Sequence, residues 1–212
     1  MTAELLQVTG FTLGVALVAT LGVLGPGVLC AWILARREFP GKTLLETAVL
    51  LPLVMPPVAT GLLLLWAFGA RGPFGGLGVI FTWRAVVLAM AVMGLPLLVR
   101  TARPAFEQVP RRYELMAASL GASPRRVFWT VTLPLAGRGV VAGALLAFSR
   151  ALGEFGATIM IAGSIPGRTL TLPVAIFTAA ETGQDGRAAA LLGISIALAF
   201  SAAWISNRLV RD

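Results

Sequence analysis

The amino-acid sequence predicts an all-helical integral membrane protein with five transmembrane helices, and three observations carry that prediction. Apolar runs of the length a bilayer crossing needs, about 20 residues, recur along the chain. Only 12% of the 212 residues are charged while 58% are hydrophobic, and the mean hydropathy is +0.89. A soluble domain of this size has too much surface per unit volume to hide that apolar content from water. The third observation is that the cations crowd one side of the predicted spans.

The first span is expected at 8–35. It lacks the positive leading segment of a cleavable signal peptide, and Arg36, Arg37 and Lys42 follow it, so it reads as a retained helix. The second, 44–68, contains Pro52, Pro56 and Pro57. Proline kinks a helix and frees a carbonyl, which membrane helices tolerate when neighbours satisfy it. Such a kink serves either packing or a gated pathway. The third span is expected at 78–101, and the fourth lies within 127–162, a stretch longer than one crossing. The segment 169–182 is short and contains Pro173, so it reads as an outer-surface or re-entrant helix. The fifth span is expected at 187–207.

Charge orients this arrangement. Arg36, Arg37, Lys42, Arg100, Arg103, Arg111, Arg112, Arg125, Arg126, Arg208 and Arg211 fall on one side, against Arg71, Arg84, Arg168 and Arg187 on the other. The positive-inside rule then places the N-terminus outside and the C-terminus in the cytoplasm. The net charge of +8 is explained by orientation in the membrane, so no nucleic-acid partner is expected. Membrane lipid is one partner that the composition requires.

Residues 107–134 form the longest hydrophilic interruption, with a cytoplasmic loop expected over about 104–126. Pro110 suits a helix start, and Tyr113, Met116, Ala117 and Leu120 then share one helical face. Gly121 can take the left-handed conformation that ends a helix. Ser123 and Pro124 supply the cap and first position of the next one. An amphipathic helix ringed by Arg111, Arg112, Arg125 and Arg126 either lies on anionic lipid or docks into a groove of another protein. Periodicity leaves both open.

Inside the fourth span, Arg150 and Glu154 are four apart, so they share a helical face and can pair. Charges within a bilayer face a cavity, a partner or a pathway. Gly153 and Gly156 ease bending there. Two small-residue pairs, Gly10 with Gly14 and Gly139 with Gly143, would let helices approach closely.

Catalysis by this chain is not expected. The glycine-rich 72–78 stretch lacks the Lys-Ser/Thr of a phosphate-binding loop, histidine is absent, and the single Cys30 lies in an apolar run. No catalytic residue, metal site or cofactor is assigned.

The run Glu114-x-Met116-Ala117-x3-Gly121, followed at a fixed gap by Val131-Thr132-Leu133-Pro134, resembles the EAA loop of ATP-binding-cassette importer permeases. The family pattern has alanine where Met116 stands and isoleucine where Val131 stands. Beyond the loop, the chain resembles the permease subunit of molybdate importers in Arg36–Lys42, Leu51–Pro57, Phe148–Thr158 and Pro166–Pro173. The Leu-Gly-Glu-Phe-Gly-Ala run is shared with sulfate and thiosulfate permeases.

The resemblance implies a single permease domain over 1–212 with the type I importer fold, in a prokaryotic cytoplasmic (inner) membrane. It also implies a second permease copy, a cytoplasmic ATPase dimer and an external or periplasmic molybdate-binding protein. Residues 111–121 would be the coupling helix, with Arg112, Tyr113, Glu114, Met116, Ala117, Leu120 and Gly121 at the ATPase and Glu114 reaching a partner arginine. Pro56, Pro57, Ser149, Arg150, Glu154 and Thr158 are the candidates for the translocation pathway or its gate. The expected function is import of molybdate, or of tungstate, which has the same charge and nearly the same size. A sulfate or thiosulfate importer is the alternative. A gradient-driven transporter with Glu154 as proton carrier and a membrane enzyme are the more distant ones.

Overall fold

The computed structural model describes residues 2–211, and among these every regular element is a helix. Four helices are long and apolar enough to cross a membrane. They are α1 (Thr2–Arg36), α4 (Trp83–Gln108), the run from α6 (Pro124–Val127) through α7 (Leu133–Leu152), and α10 (Asp185–Arg211). Between the first two lie α2 (Lys42–Val54) and α3 (Pro57–Phe68). Between the others lie α5 (Arg111–Ser119), α8 (Gly156–Ala162) and α9 (Leu172–Glu181).

The expected second span is not one rod. It breaks at Met55-Pro56, and α2 and α3 diverge by 113°. Two consecutive prolines explain the break. Pro56 and Pro57 cannot donate to the preceding turn, and the residue before a proline is driven out of the α region. Met55 is accordingly extended. The chain therefore has four straight candidate spans, and five only if the bent pair counts as one. The third span starts at Trp83 and continues through Gln108, well past the expected end, so residues 104–108 belong to a helix and not to the loop.

Helices α1, α4 and α7 form the core. Val15, Ala16 and Ala19 of α1 pack with Ala85, Val86, Ala89, Met90 and Met93 of α4, and Ala151 and Ala157 close the cluster. The seam is rich in alanine because lipid gives no hydrophobic incentive for helices to associate, so close backbone approach has to supply much of the contact. Gly143 lies against Leu98, and Gly139 against Ala105, so this glycine pair is used as expected. Gly10 and Gly14 have nothing within 4 Å and face outward.

Helix α3 lies on α8, again through glycine. A Cβ at Gly61 would sit 2.7 Å from Ala157 Cα and 2.8 Å from Met160 Cβ, while Gly156 abuts Pro57. Backbone cannot yield as a side-chain tip can. Gly61→Ala is expected to cost about 1–3 kcal/mol through forced separation of the two helices. Gly22→Ala, with nothing within 4 Å, should leave the thermal midpoint in detergent unchanged or raised.

The short segment 169–182 is the helix α9, as expected from its length. Its Leu172, Val174, Ala175 and Ala179 are buried against Val8 of α1 and Leu191 of α10. The Leu172 N–H donates to the buried Thr12 hydroxyl of α1 at 2.8 Å.

Candidate functional site

Two clusters of chemistry-bearing residues stand out, one at the cation-rich end of the bundle and one inside it. At the cation-rich end, α4 turns at Val109-Pro110 into α5, with Pro110 capping the helix and Arg111 its first residue. Gly121 ends the turn at φ 84°, and Ser123 caps α6 by accepting from the Arg126 N–H. Only glycine adopts that φ without a Cβ clash, and a β-branched residue there costs about 1–2 kcal/mol. Gly121→Val should therefore misdirect α5 while leaving the core spans folded. The check is retained yield and monodispersity in detergent with faster proteolysis of the segment 109–123.

Among the described residues, the apolar face of α5 is largely uncovered. Tyr113 is 40% exposed, Met116 61% and Leu120 88%, with Ala117 half-buried beside them. Arg112 stacks over the Tyr113 ring at 5.0 Å. Tyr113, Met116 and Leu120 thus leave an exposed apolar strip along α5.

The helix is tied to the bundle through Glu114, on the flank of this face. Its Oε1 accepts from Arg36 Nη2 at 3.1 Å and from the Thr132 hydroxyl at 2.7 Å. The same Arg36 nitrogen donates to the Val109 carbonyl at 2.7 Å. Arg36, in the last turn of α1 and only 10% exposed, thus holds both the α4–α5 turn and the first turn of α5. A carboxylate in the first turn of a helix is also favoured by the helix dipole. The resemblance implies that Glu114 reaches a partner arginine, whereas in this chain its carboxylate is engaged by Arg36 and Thr132.

Thr132 is positioned by an irregularity that the sequence reading missed. Residues Phe128–Thr132 form a π turn between α6 and α7, closed by the Leu133 N–H donating to the Phe128 carbonyl. Pro134 accounts for it, since a proline ring collides with the carbonyl four residues back in a regular α-helix. Widening the turn relieves that clash. The wider turn leaves Thr132 buried at 2% exposure with its hydroxyl on Glu114. The two halves of the loop pattern, Glu114 and Val131–Pro134, are therefore one site in space. Trp32, Phe128 and Leu115 line an open cavity of about 460 Å³ beside it. Nearby, the Lys42 ammonium hydrogen-bonded to Glu38 holds that carboxyl below the usual carboxylate range.

The inner cluster sits where α7 breaks. Arg150 Nη1 lies 2.7 Å from Glu154 Oε2, the pair anticipated from their spacing. Glu154 is fully buried, and its Oε1 accepts from the Ala157 N–H at 2.7 Å. It therefore caps the N-terminus of α8 as well as pairing with Arg150, a second role that no i,i+4 spacing reveals. Thr158, on α8, is also fully buried. Pro57 is brought to this region by its contact with Gly156, while Pro56 is exposed at the α2–α3 break. Ser149 faces elsewhere, into a cavity of about 150 Å³ that it shares with Thr12, Leu172 and Ser195. The structure thus groups Pro57, Arg150, Glu154 and Thr158 around the α3–α8 contact and sets Ser149 apart.

A family model described as the binding-protein-dependent transport system inner membrane component matches residues 27–212. The molybdenum transport system permease protein ModB of Escherichia coli (strain K12) is 47% identical over 97% of this chain and 93% of its own length. The sulfate transport system permease protein CysT of the same organism is 37% identical over 87% of this chain and 70% of its own length. Among solved structures, the MetNI methionine ABC transporter in an inward-facing conformation superposes with a TM-score of 0.77. That match covers all of this chain and 96% of the other at 18% identity, and so speaks to the fold alone.

Proposed function

Because this chain belongs to the family of binding-protein-dependent transport system inner membrane components, we propose that it is the membrane permease of an ATP-driven importer of molybdate. The observation that carries the substrate is similarity along nearly the whole chain to a molybdenum permease, closer than to a sulfate one. Tungstate is expected to be transported as well, because the two tetrahedral dianions differ little in size. The chain has its N-terminus outside, and two copies enclose the pathway.

In this reading α5 is the coupling helix. Its open face of Tyr113, Met116, Ala117 and Leu120, with Arg112 alongside, seats in a groove of a cytoplasmic ATPase, the docking mode of an amphipathic helix. Closure of the ATPase pair on ATP moves α5, and the Arg36–Glu114–Thr132 contacts carry that displacement into α1 and α7. Two sites acting on one two-state element is what coupling at a distance requires. An external binding protein selects the anion, so the permease itself needs only a transient polar path. Pro56, Pro57, Ser149, Arg150, Glu154 and Thr158 are its proposed lining or gate. A gradient-driven mechanism with Glu154 as a mobile proton carrier is disfavoured, since Glu154 is fully buried, ion-paired with Arg150 and bound at Oε1 by the Ala157 N–H.

The test is uptake of labelled molybdate into proteoliposomes holding the permease with its ATPase, with binding protein outside and ATP inside. Uptake should require ATP, survive collapse of ion gradients, and be competed by tungstate more strongly than by sulfate. Uptake that follows a proton or sodium gradient without ATP would overturn the proposal.

A further inference from the structure

The cation-poor end of the bundle contains a cleft that orientation in the membrane does not explain. Arg84, in the first turn of α4, and Arg168, in the loop before α9, both line a cavity of about 350 Å³. Gly78, Thr82, Trp83 and Gly167 complete its wall. Gly167 at φ 73° and Gly78 at φ 57° let the two loops turn tightly there, and the Phe81 N–H donates to the Ile161 carbonyl at 3.1 Å, tying the segments together. The 78–82 loop is therefore fixed to the end of α8, from which the loop carrying Arg168 sets out.

Among the described residues, neither Arg84 nor Arg168 takes part in an ion pair, and no carboxylate lines the cavity. Glu4 lines a separate cavity together with Arg168, and its carboxylate is taken by Arg187. Arg84 instead stacks over its neighbour Trp83 at 5.9 Å. Cations placed for orientation accumulate at the opposite end of the bundle. Two guanidinium groups left unpaired around one concavity focus a positive field in it.

We infer that this cleft is an entry site for the transported oxyanion, held transiently by Arg84 and Arg168 on its way from the binding protein to the pathway. The inference rests on the reading of this chain as an oxyanion importer. Two guanidinium groups match the charge of one tetrahedral dianion, and their planar donor forks suit paired oxygens. The α4 dipole adds favourable potential beside Arg84. The cavity has room for the anion with water. Both arginines are solvent-exposed, which makes the hold weak and release quick, as a hand-off demands.

The experiment uses the complete importer in proteoliposomes and compares wild type, Arg84→Gln/Arg168→Gln, Arg84→Lys/Arg168→Lys, and Arg71→Gln as a control cation outside the cleft. Three quantities are read: ATP-driven molybdate uptake, affinity of the permease–ATPase complex for the binding protein, and direct binding of labelled molybdate to that complex without binding protein. The glutamine pair should weaken direct molybdate binding at least ten-fold and reduce uptake by a similar factor, with binding-protein affinity unchanged. The lysine pair should retain part of both, and Arg71→Gln should match wild type. Loss of binding-protein affinity with direct anion binding intact would make the cleft a docking surface and overturn the inference. So would a glutamine pair equal to wild type throughout. A wild-type importer that moves no molybdate would instead overturn the functional reading, and the entry site with it.

Discussion

Glu154→Ala should cost the folded protein about 3–5 kcal/mol, the range for removing one partner of a buried ion pair. Glu154 is fully buried and Arg150 is one-quarter exposed, so the guanidinium left behind has little water to turn to. The substitution also orphans the Ala157 amide in the first turn of α8. A buried donor without a partner adds a desolvation penalty of about 1–3 kcal/mol. Because α8 carries α3 through the Gly61 and Gly156 contacts, the damage should spread to the bent α2–α3 unit. Thermal denaturation in detergent would register it as a lower midpoint. The pairing account makes a further demand. Arg150→Leu combined with Glu154→Leu should be less destabilising than Glu154→Ala alone, since removing both charges lifts the penalty. A stable Glu154→Ala protein that has lost only gradient dependence would instead make this residue a proton carrier.

Breaking the Arg36–Glu114 contact should uncouple transport from ATP hydrolysis. Arg36→Ala or Glu114→Ala removes a charge-assisted bond of about 1.5–3 kcal/mol, enough for a ten-fold or larger change in an equilibrium. Helix α5 would remain helical and present its apolar face, so the ATPase should still bind and hydrolyse ATP. What is lost is the stiff link from α5 to α1 and α7. The expected result is uptake reduced at least ten-fold with basal ATP hydrolysis within about two-fold of wild type, a split that a general folding defect does not give. Arg36→Glu with Glu114→Arg should recover part of the uptake. Glu114→Gln, which keeps an acceptor for Thr132, should fall between wild type and alanine. Normal uptake per ATP in the alanine variants would show that α5 transmits force some other way.

These two sites were visible in the sequence to different depths. The Arg150–Glu154 pair follows from i,i+4 spacing and is found in the structure, but the capping of α8 depends on where α7 breaks, which spacing does not determine. Glu114 and Thr132 are eighteen positions apart, and nothing local links them. Only the family pattern joins them, and the physical link is a π turn imposed by Pro134. In the sequence Arg36 reads as an orienting charge and not as a tether, because its partners lie more than seventy residues on. The apolar spans were legible because hydropathy is a property of each segment alone. The 113° break was foreshadowed by Pro56-Pro57, but the angle is set by the packing of Gly61 and Pro57 on α8, a long-range contact. The extension of α4 to Gln108 was hidden by its polar end, where Arg103 bridges Glu46 and Glu107 and lets charged residues continue the helix.

The central claim is that the open face of α5 seats on a cytoplasmic ATPase. Its most direct test is purification of this chain from its native membrane in mild detergent, with mass spectrometry of whatever accompanies it. An ATPase recovered at a one-to-one ratio, crosslinked through a cysteine at Met116 or Leu120 and released by Gly121→Val, is the predicted result. A chain that purifies alone, or an ATPase retained when the α5 face is replaced by polar residues, would contradict it.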